Sequence, residues 1–258
     1  LGRQRINWGV NLAWNPNDWF NAYSFFDFDY EERPGSDAVR VTYYTGVASS
    51  IEVAAKIADS PNDFVAAGMY KMNTNNYDIQ FLGGIAQGDV SLGTGWAGNL
   101  GLASIKGELT YFLPVIETTS NMNTNPITGM IIPGSTRYNS MFLGAVSVDY
   151  SFINSLYING SVMYNSIGSY DANIFGLGLE QRSGRFTVRD LSPFPWSAFI
   201  QTSYQFTPLL NGGGSIMYYP GTNNFFVNPY LTYSIVQNLD VDLVGQFFFG
   251  ENQNGSYD

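Results

Sequence analysis

Between Phe142 and Tyr164 every second residue falls on the same kind of surface. One face carries Phe142, Gly144, Val146, Val148, Tyr150 and Phe152, then Leu156, Ile158, Gly160, Val162 and Tyr164. The other carries Ala145, Ser147, Asp149 and Ser151, then Tyr157, Asn159, Ser161 and Met163. A period of two is that of a β-strand, and Ile153–Asn154–Ser155 reads as the tight join of a hairpin. The alternation recurs along the chain. Val39, Val41 and Tyr43 oppose Arg40, Thr42 and Tyr44, and Ile51, Val53, Ala55 and Ile57 oppose Glu52, Ala54 and Lys56. Ile105, Leu109 and Tyr111 oppose Lys106, Glu108 and Thr110, and Leu239, Val241, Leu243, Phe247 and Phe249 oppose Asp240, Asp242 and Gln246. Further strands are expected near 64–72, 77–87, 90–98, 196–207, 212–220 and 225–235, and a first one where Arg3, Arg5 and Asn7 alternate with Gln4, Ile6 and Trp8.

These strands are long, and aromatic residues sit at the ends of their apolar faces. The joins sort by length when the chain is followed up and down. Short ones around Gly46–Ser49, Asn73–Asn76, Asn99, Ile153–Ser155, Pro208–Asn211 and Val236–Asn238 collect at one end. The segments 10–36, 114–137 and 166–195 collect at the other, along with a few short joins. That asymmetry is the pattern of an outer-membrane barrel, with lipid on the apolar side and a polar lumen on the other. The expectation is an all-β, transmembrane, up-and-down antiparallel β-barrel, a single domain over 1–258 with about 13–14 strands visible. Such barrels have even strand numbers, so at least one wall strand is expected beyond this sequence. The loop 10–36 is expected to fold over or into the lumen, with 114–137 and 166–195 as external loops. The alternative is a soluble β-sandwich, whose strands average about five or six residues.

Composition agrees with a barrel wall. Charged residues make up 12% and aromatics 16%, with 28 glycines and 18 tyrosines; an average soluble domain has about 25% charged residues. Mean hydropathy is −0.08, and no window nears the roughly 18 unbroken apolar residues of a membrane helix. A net charge of −10 argues against nucleic acid as a partner. The chain has no cysteine and no histidine, which removes thiolate metal sites, histidine-based triads and the commonest metal ligand. No enzyme, metal or cofactor is expected. No signal peptide is visible and residue 1 lies within a strand pattern, so the chain is expected to be processed or a segment of a longer one.

Residues 10–36 break the alternation and combine Trp14, Trp19, Phe20, Tyr23, Phe25, Phe26, Phe28 and Tyr30 with Asp18, Asp27, Asp29, Glu31 and Glu32. Long irregular loops in regular proteins are usually functional or disordered, and so many rings favour a packed one. The residues Gly2-Arg3-Gln4-Arg5-Ile6-Asn7-Trp8-Gly9 and Trp14-Asn15-Pro16-Asn17-Asp18-Trp19-Phe20-Asn21 resemble porin-like Gram-negative outer-membrane proteins, including alginate-export-type barrels. The likeness covers roughly residues 1–45. It implies a strand that opens into a loop entering or covering the pore, and residence in the bacterial outer membrane.

The candidate pore-lining residues follow from these assignments. Arg3, Arg5, Arg40 and Lys56 fall on the side assigned to the lumen, where a basic ladder would attract anionic solutes; equally, they would pair with Asp27, Asp29, Glu31 and Glu32 and pin the loop. Asp78, Asp149, Asp240, Asp242 and Glu52 fall inward near the short-turn end, where solvated rim charge is the plain reading. Arg182, Arg185 and Arg189 in the loop 166–195 would meet lipopolysaccharide or a ligand, or balance Asp171, Glu180 and Asp190. Gly93-Thr94-Gly95-Trp96-Ala97-Gly98 matches G-x-G-x-x-G but leads into a strand rather than the helix a dinucleotide site requires; glycine in a tight hairpin explains it. Two functions follow. One is a channel for passive passage of small polar, including anionic, solutes, constricted by 10–36. The other is a non-transporting barrel or a subunit of a larger outer-membrane assembly, motivated by inward rings such as Tyr44, Tyr157, Phe199, Tyr219, Phe226, Tyr230 and Phe248. The expected partners are lipid, lipopolysaccharide, a small polar solute and, in the second case, other proteins.

Overall fold

The structure is a computed structural model that describes residues 1–23, 35–58, 63–114, 123–124, 131–132, 140–170 and 186–250. The strands are β1 (Gly2–Gln4), β2 (Ser36–Gly46), β3 (Ser49–Lys56), β4 (Val65–Thr74), β5 (Tyr77–Ala86), β6 (Asp89–Leu100) and β7 (Ala103–Pro114). A small separate ladder of β8 (Asn123–Thr124) and β9 (Ile131–Ile132) follows. The sheet resumes with β10 (Met141–Ser151), β11 (Tyr157–Asn165), β12 (Trp196–Thr207), β13 (Leu210–Tyr219), β14 (Asn224–Val236), β15 (Leu239–Val244) and β16 (Phe247–Phe249). Apart from β8 and β9 all belong to one antiparallel sheet in which each strand pairs with the next, so the protein is all-β with an up-and-down, barrel-like order. Among the described residues β1 and β15 are its two ends and do not pair with each other.

The expected period of two is visible in burial. On β10, Met141, Leu143, Ala145 and Ser147 are buried while Val146 and Val148 are exposed. The same phase runs through β5, where Gln80 and Leu82 are buried and Phe81 is exposed, and β13, where Met217 and Tyr219 are buried and Ile216 and Tyr218 are exposed. The buried side is the inner face. Its core holds Ala54, Met69, Leu82, Phe112, Leu143, Met163, Phe199, Met217 and Phe226.

The turns that reverse the strands at one end are short. Asn75 and Asn76, with φ of 51° and 65°, give the doubly left-handed turn whose twist matches a hairpin. Ser155, at φ 67°, closes the Phe142–Tyr164 hairpin, where Phe152 and Leu156 exchange a 2.8 Å backbone bond. With alternating strand direction, the connections 5–35, 115–140 and 166–195 all lie at the opposite end.

Four details depart from the sequence reading. The first strand stops at Gln4 rather than running to Trp8, because Ile6 and Trp8 turn away to bury themselves on the inner face. The turn before β7 lies at Gly101–Leu102 rather than Asn99, with Gly101 at φ 66°. The last strand is split. Pro229 has no N–H to give its neighbour, so the ladder lapses around Gly245–Gln246, and β15 and β16 pair with β14 on either side in one register. The G-x-G-x-x-G string is the middle of β6 rather than a hairpin.

Some glycines on the outer face are covered by rings from a neighbouring strand. Trp96 pairs with Gly107 across the ladder, and a Cβ at Gly107 would enter its indole. Nothing lies within 4 Å of a Cβ added at Gly160. Gly107→Ala is therefore expected to cost about 1–3 kcal/mol through overpacking, and Gly160→Ala to stay within roughly 0.5 kcal/mol of the parent. Equilibrium denaturation of the two variants against the parent checks the difference.

Candidate functional site

The site is built by residues 5–23, which leave the sheet and cross its inner face. The departure is stitched at its base. Ile6 N–H donates to Asn21 Oδ1 at 3.0 Å, Asn21 Nδ2 donates to Ser36 Oγ at 3.1 Å, and Ser36 Oγ donates to the Phe20 carbonyl at 3.1 Å. Two local turns shape the path. Asn7 Oδ1 accepts from Gly9 N–H at 2.8 Å, an asparagine side chain mimicking a backbone turn. Asn15-Pro16-Asn17-Asp18 then closes with a 3.1 Å bond from Asp18 N–H to the Asn15 carbonyl, with asparagine first and proline second as a β-turn favours.

A segment that crosses a sheet has no ladder, so its buried N–H groups need other acceptors. Glu108, fully buried in the middle of β7, supplies them: Oε1 accepts from Val10 and Asn11 N–H at 2.6 and 2.9 Å, and Oε2 from Asn17 N–H at 2.8 Å. Glu52 on β3 accepts the Trp8 indole N–H at 2.7 Å and is paired with Arg40 at 3.1 Å. Thr110 Oγ1 donates to Asn17 Oδ1 at 2.7 Å, Asn17 Nδ2 to the Thr94 carbonyl at 3.0 Å, and Ser147 Oγ to Asn11 Oδ1 at 2.6 Å. Beneath Asn17 the wall is bare: a Cβ at Gly93 or Gly95 would press on Asn17, and at Gly93 also on Trp19. Those two inward glycines let the side chains of Asn17 and Trp19 lie directly on the strand.

Rings fill the remaining space. Trp8 meets Trp19 and Phe20 edge-on at 6.4 and 4.9 Å, Trp19 tilts on Phe112 at 6.5 Å, and Trp14 meets Phe199 of β12 at 6.1 Å. β3 and β12 are seven strands apart, about 34 Å along a sheet of ordinary spacing. The step from Trp8 to Trp14 spans at most about 20 Å of chain, and the two indoles reaching out from it tie together strands well separated in the sheet order.

A second connection closes over the same layer. Its short 3₁₀ turn, Val188–Asp190, is capped by Thr187, whose N–H and Oγ1 both donate to Asp190 Oδ2, at 3.1 and 2.8 Å. The turn aims Arg189 at Asp89, where the two form a buried ion pair with the guanidinium 4.8 Å over the Phe112 ring. Phe194 is fully buried against Tyr219 at 4.4 Å.

The sequence-derived ladder is only partly assembled. Arg40 and Lys56 are on the inner face, Lys56 buried and Arg40 held by Glu52. Arg3 is on the outer side, not the inner: it pairs with Asp37 directly across from it at 3.0 Å, on the face shared with Val39 and Val41. Arg5 is also exposed, opposite the buried Ile6 and Trp8. The stretch is one phase out from the expectation because its large apolar side chains, Ile6 and Trp8, face the inner layer and not the outer surface. Asp27, Asp29, Glu31 and Glu32, and likewise Arg182 and Arg185, lie outside the described residues. Two inward acids near the short turns are paired in the wall, Asp78 with Lys71 at 3.0 Å and Asp149 with Lys106 at 3.1 Å. Asp240 and Asp242 accept from Ser234 and Thr232 at 2.5 and 2.6 Å. Among the described residues no cluster of three acids, histidines or cysteines is placed to hold a metal.

The roles of Glu108, Asp89 and the glycine pair were not read from the sequence. The signals were present: a carboxylate at an inward position in the middle of a strand, and two glycines two residues apart on one face. No protein-family model matches the chain, and no curated protein sequence matches it.

Glu108→Ala would leave three buried N–H groups without an acceptor, at about 1–3 kcal/mol each before relaxation. The expected outcome is faster hydrogen exchange at Val10, Asn11 and Asn17, with the wall amides unchanged. Arg189→Ala breaks a buried pair and is expected to cost about 3–5 kcal/mol, whereas joint replacement by Arg189→Met and Asp89→Leu recovers most of it. A double-mutant denaturation cycle measures the difference.

Proposed function

We propose that this chain is the wall and inner segment of a porin-like barrel of the bacterial outer membrane, through which small polar solutes pass passively and which residues 5–23 narrow. The observation that carries the membrane part is the outer face. Val41, Leu92, Val148, Ile200 and Leu243 are all exposed there, on strand after strand. Contiguous apolar surface on that scale needs hydrocarbon or a partner to cover it. Two bands of rings border it. Tyr111 pairs with Phe142, Tyr164 with Trp196, and Phe225 with both Tyr218 and Phe249 toward the long-connection end. Tyr150 with Phe152 and Tyr204 with Phe206 lie toward the short turns. Phe142 to Tyr150 or Phe152 spans about 27–34 Å of strand, or roughly 21–26 Å of height at a tilt near 40°, which matches an apolar band of about 25 Å. The gathering of all three long connections at one end, while the other carries only short turns, supports the same reading.

The narrowing rests on the inner segment. Transport by such a channel is passage down a gradient through a polar constriction, with no cofactor or energy source. The inward bases Arg40, Lys71, Lys106 and Arg189 each have a carboxylate partner in the wall, which favours solutes selected by size and hydrogen bonding over anions drawn by unpaired positive charge. A second reading, a closed barrel that anchors an assembly, is favoured by one observation: Trp14, Trp19, Phe112 and Phe194 are fully buried in a packed layer across the inner face.

The test is conductance in planar bilayers. The channel reading expects steady ohmic current in potassium chloride, raised in Glu108→Ala as the inner segment loosens. Silence of both proteins, with other polypeptides co-purifying at fixed ratio in mild detergent, would establish the closed barrel instead. Val146→Arg, midway between the aromatic bands, is expected to destabilise the bilayer-inserted protein by about 2–4 kcal/mol; no loss in a lipid unfolding titration would overturn the membrane assignment.

A further inference from the structure

Below the packed layer, on the short-turn side, one row of inward residues runs straight across neighbouring strands. The ladder register places Asp149 beside Asn159, Asn159 beside Gln201, Gln201 beside Ser215 and Ser215 beside Asn228. Every member is polar. The row immediately above is the layer's underside, where Phe199, Met217 and Phe226 stand in register. The row immediately below contains Tyr157, Ser203 and Tyr230. Gln201, Ser203, Tyr157 and Tyr230, all at inward positions, are half-buried.

Asn159 and Ser215 each carry a buried polar atom with no hydrogen-bond partner among the described residues, and Asp149 Oδ1 in the same row has only its ion pair with Lys106. Asn159 is 1% exposed; its Oδ1 accepts from Ser161 Oγ at 3.1 Å, while Nδ2 has no bonded acceptor among the described residues. Ser215, 5% exposed, has no partner for Oγ. Native interiors leave few such groups without a partner, and each calls for an explanation. The charge at this level is cancelled locally, since Asp149 is held by Lys106 at 3.1 Å.

We propose that this row and the tyrosines below it form a binding site for neutral polyhydroxylated solutes, the class to which sugars belong. Carboxamides and hydroxyls present donor and acceptor side by side, which is what a sugar hydroxyl requires because it does both. The flanking rings of Tyr157 and Tyr230 offer the apolar surface against which the C–H face of a sugar rests, the usual combination of an apolar wall with a few placed polar groups. A site for an anion would need unpaired positive charge at this level, and the lysine there is committed. The inference rests on the channel reading for its biological sense, but the site itself is testable without transport.

The experiment uses the full chain in detergent micelles, with sucrose as the neutral probe, sodium gluconate as a polyhydroxylated anion and N-methylglucamine as a polyhydroxylated cation. Saturation-transfer NMR and calorimetry measure binding, and bilayer conductance in potassium chloride is recorded on the same preparation. Saturable sucrose binding is expected, stronger than that of either charged probe. Gln201→Ala and Tyr157→Ala are each expected to weaken it by about 3- to 10-fold, the loss of one or two hydrogen bonds or a ring contact, with the strand signature in circular dichroism retained. Tighter binding of gluconate or N-methylglucamine, or sucrose binding unchanged in both variants, overturns the proposal. Conductance without any sucrose binding overturns it and leaves the channel reading standing. Sucrose binding without conductance supports the site and overturns the channel.

Discussion

A strand in a sheet has its hydrogen bonds arranged for it; a segment laid across that sheet does not. The structure depends on how the second case is met here. Residues 5–23 run through a layer of indole and phenyl rings where water cannot serve as an acceptor, and an unmet N–H in such surroundings costs as much as a lost bond or more. One buried carboxylate, Glu108, answers three of these groups. Asn21 answers the Ile6 N–H, and Thr110, Ser147 and the Thr94 carbonyl answer the side chains of Asn17 and Asn11. The rings supply attraction without direction, and the carboxylate fixes which residues lie where.

That division explains why the two halves of the inner face differ. Toward the long connections, Arg189 and Phe194 descend from one side and Trp19 and Phe20 from the other, and the interior is packed and interlocked. Toward the short turns no connecting segment reaches in among the described residues, so inward positions are answered by their neighbours in the wall: Lys71 by Asp78, Lys106 by Asp149, Thr232 by Asp242. Hydroxyls and amides remain open between them. Described charges at this level are balanced within the wall rather than gathered into a ring of one sign.

The wall was legible in the sequence because a period of two depends on nearest neighbours. The two faces of the Phe142–Tyr164 hairpin, its turn at Ser155, and the sorting of short and long connections all follow from residues close together in the chain. The site was less legible because it depends on residues far apart. Nothing local marks Glu108 as the acceptor for residues some 90 positions earlier, or Asp89 as the partner of Arg189. The error at Arg3 and Arg5 has the same origin. Alternation gives the existence of two faces but not which is which, and at the start of the chain the apolar residues turned to an inner layer that alternation cannot reveal. The glycines of β6 were read as turn-formers because their spacing carries no sign of Asn17 and Trp19 above them.

The placement of the inner segment also has a kinetic side. Its bonds join positions 44 apart at Trp8 and Glu52, 98 apart at Val10 and Glu108, and 136 apart at Asn11 and Ser147, whereas most wall contacts join strands adjacent in sequence. Closing loops of that size is entropically costly and slow. Hairpins therefore zip early while the residues nearest the start of the chain wait, unsatisfied, for partners that exist only once the sheet has rolled up. The order of contacts thus separates a wall that zips locally from an inner segment, residues 5–23, whose anchors are assembled only by long-range closure.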